Sequence, residues 1–391
     1  MRHPAPADPF SLTGRLDKIK SAGLFRTRRT ISSAQGAVIH AGGRRYDNFS
    51  SNDYLGLAND ARLVGAVQDA VATYGVGSGA SQLICGRSSA HEQLEEALAA
   101  HTGRSRAVVF SSGYLANLAV ITTFATRRED VVVMDRENHA SLVDGALLAR
   151  ASLRRYGHHD IAGLERLCTG KRALVATDGV FSMDGSIAAL PDIVTVCTGH
   201  QAMLAVDDAH GFGVLGETGG GALQHFSLDQ SRVPILMATF GKACGAMGAF
   251  VAGPDAVVEA VIQSGRSYIY TTAMPPSLAV AARRSLAIIT RESWRRERLR
   301  DLVGRFCRGA KQLDLPVLAS GTPIQGFLAG SAEAAVRGSD YARSRGIWLN
   351  AIRPPTVPKN TERLRITLTA GHSDEQVDRL LDALAQLKKT L

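Results

Sequence analysis

Val206-Asp207-Asp208-Ala209-His210-Gly211 and, further along, Thr239-Phe240-Gly241-Lys242 each close a short apolar run. Together they bring a carboxylate, an imidazole, a hydroxyl and a lysine amine to the ends of two strand-like segments. Those segments, Met203–Val206 and Ile235–Thr239, belong to a series with Ala107–Phe110, Val131–Met134, Ala173–Thr177 and Ala249–Ala252. Helical patterns separate them, which predicts βα units and a mostly parallel sheet. Most of the runs lead into polar residues: Ser111-Ser112-Gly113-Tyr114, then Asp135 to His139, then Asp178 to Ser182, then Asp207 and His210, then Lys242. Open α/β sheets bind ligands at the carboxyl ends of their strands. Successive polar tails of this kind predict one site there.

The residue types point to pyridoxal-phosphate (PLP) chemistry. A lysine can hold the cofactor aldehyde as a Schiff base, and a carboxylate can keep the pyridine nitrogen protonated so that the ring acts as an electron sink. Asp207 at a strand end would be costly to bury without a cationic partner, and a pyridinium is one; a helix N-cap is the competing reading. His210 is placed to bond the ring oxygen. Gly113 lets the backbone approach an anion at a helix N-terminus, although an ordinary strand-to-helix turn looks the same. His139 can stack on a ring or be a plain loop residue. Lys242, between Gly241 and Gly245, is a cofactor lysine or an exposed loop lysine.

Composition sets outer bounds. At 391 residues the chain is too long for one compact core, so two domains are expected. No apolar stretch reaches the ~18 residues of a membrane helix. The opening MRHPAPADPFSL lacks the apolar core of a secretory leader. The five cysteines are scattered without a CxxC pair, which predicts reduced thiols in a cytoplasm and no metal framework. The net charge of +9 is diffuse. Its densest run, Arg291 to Arg308, reads as an amphipathic helix with a solvated basic face, or as a docking surface for an acidic partner. No zinc-finger spacing or RNA-binding signature accompanies it, so nucleic acid is not an expected partner.

The C-terminal part has a different pattern. A helical stretch at Pro276–Ile289 leads into the basic helix, short strands at Pro316–Leu318, Ile324–Leu328 and Arg363–Leu368, and a final amphipathic helix, Asp374–Leu387. A strand is expected near Arg44–Phe49. The predicted organisation is an N-terminal segment, 1–50, packing with a small α+β domain, 286–391, beside a large cofactor-binding domain, 51–285.

The ordered motifs resemble the α-oxoamine synthases, fold-type I PLP enzymes, from about Gly23 to the C-terminus. They are SNDYLGL (51–57), GVGSGASQLICG (75–86), HEQLEEALA (91–99), SSGYLAN (111–117), TDGVFSMDG (177–185), VDDAHGFGVLG (206–216), TFGKACG (239–245), YIYTTAMPP (268–276) and RLRITLTAGH (363–372). The segments 351–358 and 363–370 are most similar to the branch that joins L-alanine to a pimeloyl thioester. Other branches, such as glycine acetyltransferases, share the cofactor set. The sequence departs from the family at Gly220, where arginine is usual, and at Gly326, where many relatives have proline.

The resemblance implies an α/β fold: a mostly parallel seven-stranded sheet sandwiched by helices, plus the smaller α+β domain. It also implies roles. Lys242 would bind the cofactor, Asp207 its ring nitrogen, and His210 and Ser182 the ring oxygen. His139 would stack on the ring, with Gly113, Tyr114 and Thr239 on the phosphate side. Thr271 and Thr272 would reach the neighbouring subunit's cofactor, in a homodimer with shared active sites. Arg365, helped by Asn52, would hold the amino-acid carboxylate. Arg26 and Arg353 would lie near the acyl entrance, where the donor is a CoA or acyl-carrier-protein thioester.

Overall fold

The computed structural model describes residues 10–390. The first nine residues, which include most of the stretch read for a leader, lie outside the described residues, as does Leu391. A seven-stranded sheet organises the chain. From one edge to the other its strands are Arg106–Phe110, Ala249–Gly253, Ile235–Thr239, Met203–Asp207, Ala173–Asp178, Val131–Asp135 and Ser152–Tyr156. All neighbours are parallel except Ala249–Gly253, which runs antiparallel to both of its neighbours.

Side chains along a strand point alternately to opposite faces, and here that parity divides the core in two. Ala107, Val109, Val131, Val133, Ala173, Val175, Leu204 and Val206 face one way. Val108, Phe110, Val132, Met134, Leu174, Ala176 and Ala205 face the other. Both sets are buried, so the central strands read as unbroken apolar runs, as expected for a sheet covered on both faces. Helices Gly113–Phe124 and Ala140–Ala149 pack together on one side; Ala61–Tyr74, Ser89–Thr102 and Pro276–Arg291 pack together on the other.

The register aligns the strand ends. Asp178 pairs with Asp207, and Asp207 with Met237. Two adjacent parallel strands therefore end level, the third runs two residues further to Thr239, and the polar residues after them share one rim.

The edge strand Ser152–Tyr156 escapes the apolar-run criterion. It is half-exposed and carries Arg154 and Arg155, charges of the kind that keep a sheet edge from pairing with other chains. Near the N-terminus, Val38–Ala41 and Arg44–Asn48 form a hairpin whose two-residue turn is Gly42-Gly43. Both glycines have positive φ, 54° and 73°, as a type I′ turn requires. The short strand Ile347–Trp348 joins this hairpin in parallel, linking the N-terminal segment to the C-terminal part.

That part has its own antiparallel sheet, Ile324–Leu328, Arg363–Thr367 and Asn350–Ile352. Helices Ser293–Gln312, Ala332–Ser344 and Asp374–Lys388 accompany it. The expected strand at 316–318 reduces to a single bridge, Val317 to Phe327, since Pro316 has no N–H for a longer ladder.

The basic run differs from a solvated face. Arg296 is buried and donates to the carbonyls of Ile289, at 2.5 Å, and Glu217, at 2.7 Å. Arg295 pairs with Glu292 and Asp60, Arg298 with Asp374, and Arg305 with Asp378 and Asp374. Much of this charge is spent inside the fold, which weakens the helix as a docking surface. Among the described residues no helix is long and apolar enough to cross a membrane.

Candidate active site

Asp207 is the last residue of its strand and is buried. One carboxylate oxygen accepts from Asn117 Nδ2 at 2.7 Å, the other from the Ala209 amide at 3.0 Å. Asn117 lies in helix Gly113–Phe124, whose N-cap Ser112 accepts from the Leu115 amide. The second amide proton of Asn117 goes to Ser141 Oγ at 2.8 Å. That hydroxyl, already an acceptor, donates to His139 Nδ1 at 2.7 Å, and the Ser141 amide approaches the same nitrogen at 3.3 Å. His139 Nδ1 is therefore an acceptor, and the neutral ring carries its proton on Nε2.

The turn that presents His139 is tied to the neighbouring strand. The His139 amide donates to Asp178 Oδ2 at 2.8 Å, and Asn138 Nδ2 donates to the Ala176 carbonyl at 2.7 Å. Burial pushes the Asp178 carboxyl well above the usual carboxylate range, and the charge of Asp207 pushes the same way.

Lys242 sits in the turn between Ile235–Thr239 and Ala249–Gly253. Gly245 in this turn has φ of +63°, and a Cβ there would meet the Ala58 backbone nitrogen at 2.4 Å. Glycine is thus required for the turn to lie against the loop after Leu57. Thr239 Oγ1 donates to the Gly248 carbonyl at 2.8 Å and accepts from the Gly241 amide at 3.2 Å, so the hydroxyl proton is already engaged. Desolvation lowers the Lys242 amine from 10.5 to about 8, against the opposing pull of Asp207 and Asp178. About a tenth of the amine is then neutral at pH 7, on the order of several-hundred-fold more than at its ordinary pKa, which makes it a usable nucleophile and base.

His210 is buried, and its Nδ1 lies 2.6 Å from the hydroxyl of the buried Tyr54. Burial, then the charges of Lys242 and Arg365, hold this imidazole well below its usual pKa. Burial pushes Tyr54 up to about 12. A neutral histidine beside a protonated phenol takes the hydrogen bond on Nδ1 and keeps its proton on Nε2. Tyr54→Phe is expected to remove that preference. The His210 ring ¹⁵N shifts should then report mixed tautomers, with a stability loss of about 1–3 kcal/mol for the unpaired nitrogen; unchanged shifts would rule out the coupling.

Arg365 donates from Nε to the Ser182 carbonyl at 2.6 Å and from Nη1 to Asn52 Oδ1 at 3.1 Å. Tyr54 also approaches Asn52 Oδ1, at 3.3 Å. The pairs Arg365–Asn52 and Tyr54–His210 are thereby neighbours.

A cavity of about 160 Å³ gathers Gly113, Tyr114, His139 and Ser182 with Asp207, His210, Thr239 and Lys242. Asn117, Ser141 and Asp178 line it too. The sequence shows Asp178 as an acid at a strand end, the same signal as Asp207, while Ser141 and Tyr54 offer no comparable signal. The Tyr114 hydroxyl is taken by Asp144. Thr271 is half-buried and Thr272 exposed, and neither lines this cavity. Arg26 and Arg353 line a separate cavity of about 360 Å³, where Arg353 donates to the carbonyls of Gly23 and Phe25.

The residues fit a pyridinium phosphate. A buried carboxylate, an amine of lowered pKa, two neutral imidazoles and a helix N-terminus meet at one cavity. Gly113 and Tyr114, the first residues of helix Gly113–Phe124, line the cavity, which puts a helix N-terminus where an anion would bind.

Comparison with known proteins agrees with this chemistry. The Aminotransferase class I and II family matches residues 46–384. An 8-amino-7-oxononanoate synthase of Nitrosococcus oceani is 53% identical over 93% of this chain and 97% of its own length. One from Stutzerimonas stutzeri is 51% identical over 96% of each. Among solved structures, the 8-amino-7-oxononanoate synthase of Francisella tularensis matches with a TM-score of 0.78 and 32% identity, covering 88% of this chain and 98% of that one. A serine palmitoyltransferase from S. paucimobilis, solved with bound PLP and myriocin, matches with a TM-score of 0.91 and 27% identity over 97% of both chains.

Proposed function

We infer the activity from a plain premise: the chain belongs to the aminotransferase class I and II family, and within it to the α-oxoamine synthases. It is a PLP-dependent acyltransferase of biotin biosynthesis. Its reaction is the decarboxylative condensation of L-alanine with a pimeloyl thioester, giving 8-amino-7-oxononanoate, CO2 and the free carrier. The observation that carries this is identity of about half over nearly the whole length of several 8-amino-7-oxononanoate synthases.

Bound PLP supplies an electron sink for negative charge at the α-carbon of alanine. The protein's groups prepare and use that sink. Asp207 holds the proton on the pyridine nitrogen, and Asn117 and the Ala209 amide keep its carboxylate aimed. His210 donates from Nε2 toward the ring oxygen, with Ser182 beside it. His139 packs against the ring. Gly113, Tyr114 and Thr239 take the phosphate side, where the amides at the N-terminus of helix Gly113–Phe124 suit an anion. Lys242 would hold the cofactor aldehyde, and its amine, once freed, would serve as general base for the α-proton of alanine. Arg365, steadied by Asn52, binds the alanine carboxylate. Arg26 and Arg353 flank the acyl donor, carried by CoA or an acyl-carrier protein.

The site is completed in a homodimer, where Thr271 and Thr272 of the partner subunit reach the phosphate. The exposure of Ile84, at 79%, and Tyr270, at 70%, supports such an interface. The free cysteines, with Cys168, Cys197 and Cys244 buried, support a reducing, cytoplasmic setting.

The test is product identification by mass spectrometry with L-alanine, glycine and competing acyl thioesters. Alanine with a pimeloyl thioester is expected to dominate by at least about tenfold in kcat/KM, the ~1.4 kcal/mol level of discrimination a few methylenes and a carboxylate can supply. A preference for glycine and acetyl-CoA would move the chain to another branch.

A further inference from the structure

Behind the cavity, three strand ends are tied together by a histidine with no part in the chemistry above. His158 follows the edge strand Ser152–Tyr156. Its Nδ1 lies 3.1 Å from both carboxylate oxygens of Asp135, the last residue of the adjacent strand. Its Nε2 lies 3.3 Å from Asp184 Oδ2 and 3.1 Å from Ser186 Oγ, on the loop after the next strand. The ring sits edge-on to Phe181, with centroids 4.5 Å apart. Both nitrogens face carboxylates, so both carry protons and the ring is an imidazolium. Burial alone would lower its pKa, but the bonds to Asp135 and Asp184 outweigh this and hold it at about 9.

Each carboxylate is itself a structural anchor. Asp135, 1% exposed, accepts from the amides of Glu137 at 2.8 Å and His159 at 3.1 Å. It therefore shapes the turn that delivers His139. Asp184 Oδ1 accepts from the amide and hydroxyl of Ser186, both at 2.9 Å, closing the loop that holds Ser182. The same loop grips the C-terminal part. The Ser182 carbonyl receives Arg365 Nε at 2.6 Å, and the Gly185 carbonyl receives Thr322 Oγ1 at 3.0 Å. At Gly185, φ is +77° and a Cβ would fall 2.3 Å from the Ile324 carbonyl, so the loop has no room to shift toward that sheet.

We propose that His158 is a positioning residue for the amino-acid substrate: by clamping the 178–186 loop to the end of strand Val131–Asp135, it fixes the carbonyl that orients Arg365. His158, Asp135 and Asp184 do not line the cavity, so the effect passes through Arg365 and not through contact with reacting atoms. The ion pairs are partly buried and share one cation between two acids, which makes removal of the cation more disruptive than loss of a surface pair. The inference rests on the reading of Arg365 as the group that binds the alanine carboxylate.

The experiment uses holoenzyme carrying His158→Gln or Asp184→Asn. L-Alanine binding is titrated through the visible spectrum of the bound cofactor, and cofactor affinity is measured separately by adding PLP to apoprotein. The alanine Kd is expected to rise about tenfold (~1.4 kcal/mol) in either variant while the PLP Kd moves by less than about twofold. The double variant should be no worse than about the weaker single one, because both remove the same link. An unchanged alanine Kd in a folded variant overturns the clamp, as does an equal loss of alanine and PLP binding, which a merely stabilising cluster would give. If His158→Gln does not fold, Asp184→Asn alone decides. Wild-type enzyme that fails to bind alanine would overturn the substrate reading itself, and the clamp with it.

Discussion

Lys242→Ala should lose the visible absorbance of bound cofactor and lower turnover by on the order of 10⁴-fold or more, since one amine serves as both anchor and general base. The geometry leaves no substitute. The neighbouring basic groups are His139, whose Nδ1 is engaged by Ser141, and His210, whose Nδ1 is engaged by Tyr54. Arg365 is engaged by the Ser182 carbonyl and Asn52. The wild-type amine has a signature of its own. Only the neutral amine attacks an aldehyde, and burial brings the Lys242 pKa to about 8. Cofactor loading of wild-type apoprotein should therefore speed up as pH rises, and level off above about 8. Stopped-flow absorbance at a series of pH values measures this. An alanine variant that kept both the visible band and turnover would remove Lys242 from the mechanism, and a wild-type loading rate that went on rising about tenfold per pH unit through pH 9 would remove its lowered pKa.

The parts legible in the sequence are those written in contiguous residues. Apolar runs predicted six of the seven strands of the large sheet, because burial on both faces leaves no polar position to interrupt them. The polar tails after them located the rim where Asp207, His210 and Lys242 meet. The unread parts depend on partners far apart in the chain. Tyr54 and His210 are separated by 156 positions, and neither flanking sequence betrays the other. Ser152–Tyr156 carries exposed arginines at an edge and has no apolar run to detect. The basic helix is the clearest case. Its arginines looked free because their acids, Asp60, Asp374 and Asp378, belong to distant segments. Charge density in a sequence measures how many charges there are, and folding decides how many remain for a partner.

Asp207→Asn should bind PLP yet slow α-proton exchange of L-alanine in D2O by on the order of 10³-fold, as measured by NMR. The side chain changes little in shape, so the cavity survives. One cost is local: Asn117 and the Ala209 amide each donate to a separate oxygen of Asp207, and an amide has only one oxygen to offer. The larger effect is electrostatic. Without a carboxylate the pyridine nitrogen loses the charge that keeps it protonated, and the ring withdraws electrons less strongly. The same substitution acts on Lys242 in the opposite sense. The charge of Asp207 raises the lysine pKa, so its removal should bring the pKa below about 8 and shift the loading profile to lower pH. A single change is thus expected to ease cofactor capture at neutral pH while nearly stopping carbanion formation. A general loss of folding would depress both. Near-normal proton exchange would separate Asp207 from the ring nitrogen, whatever happened to loading.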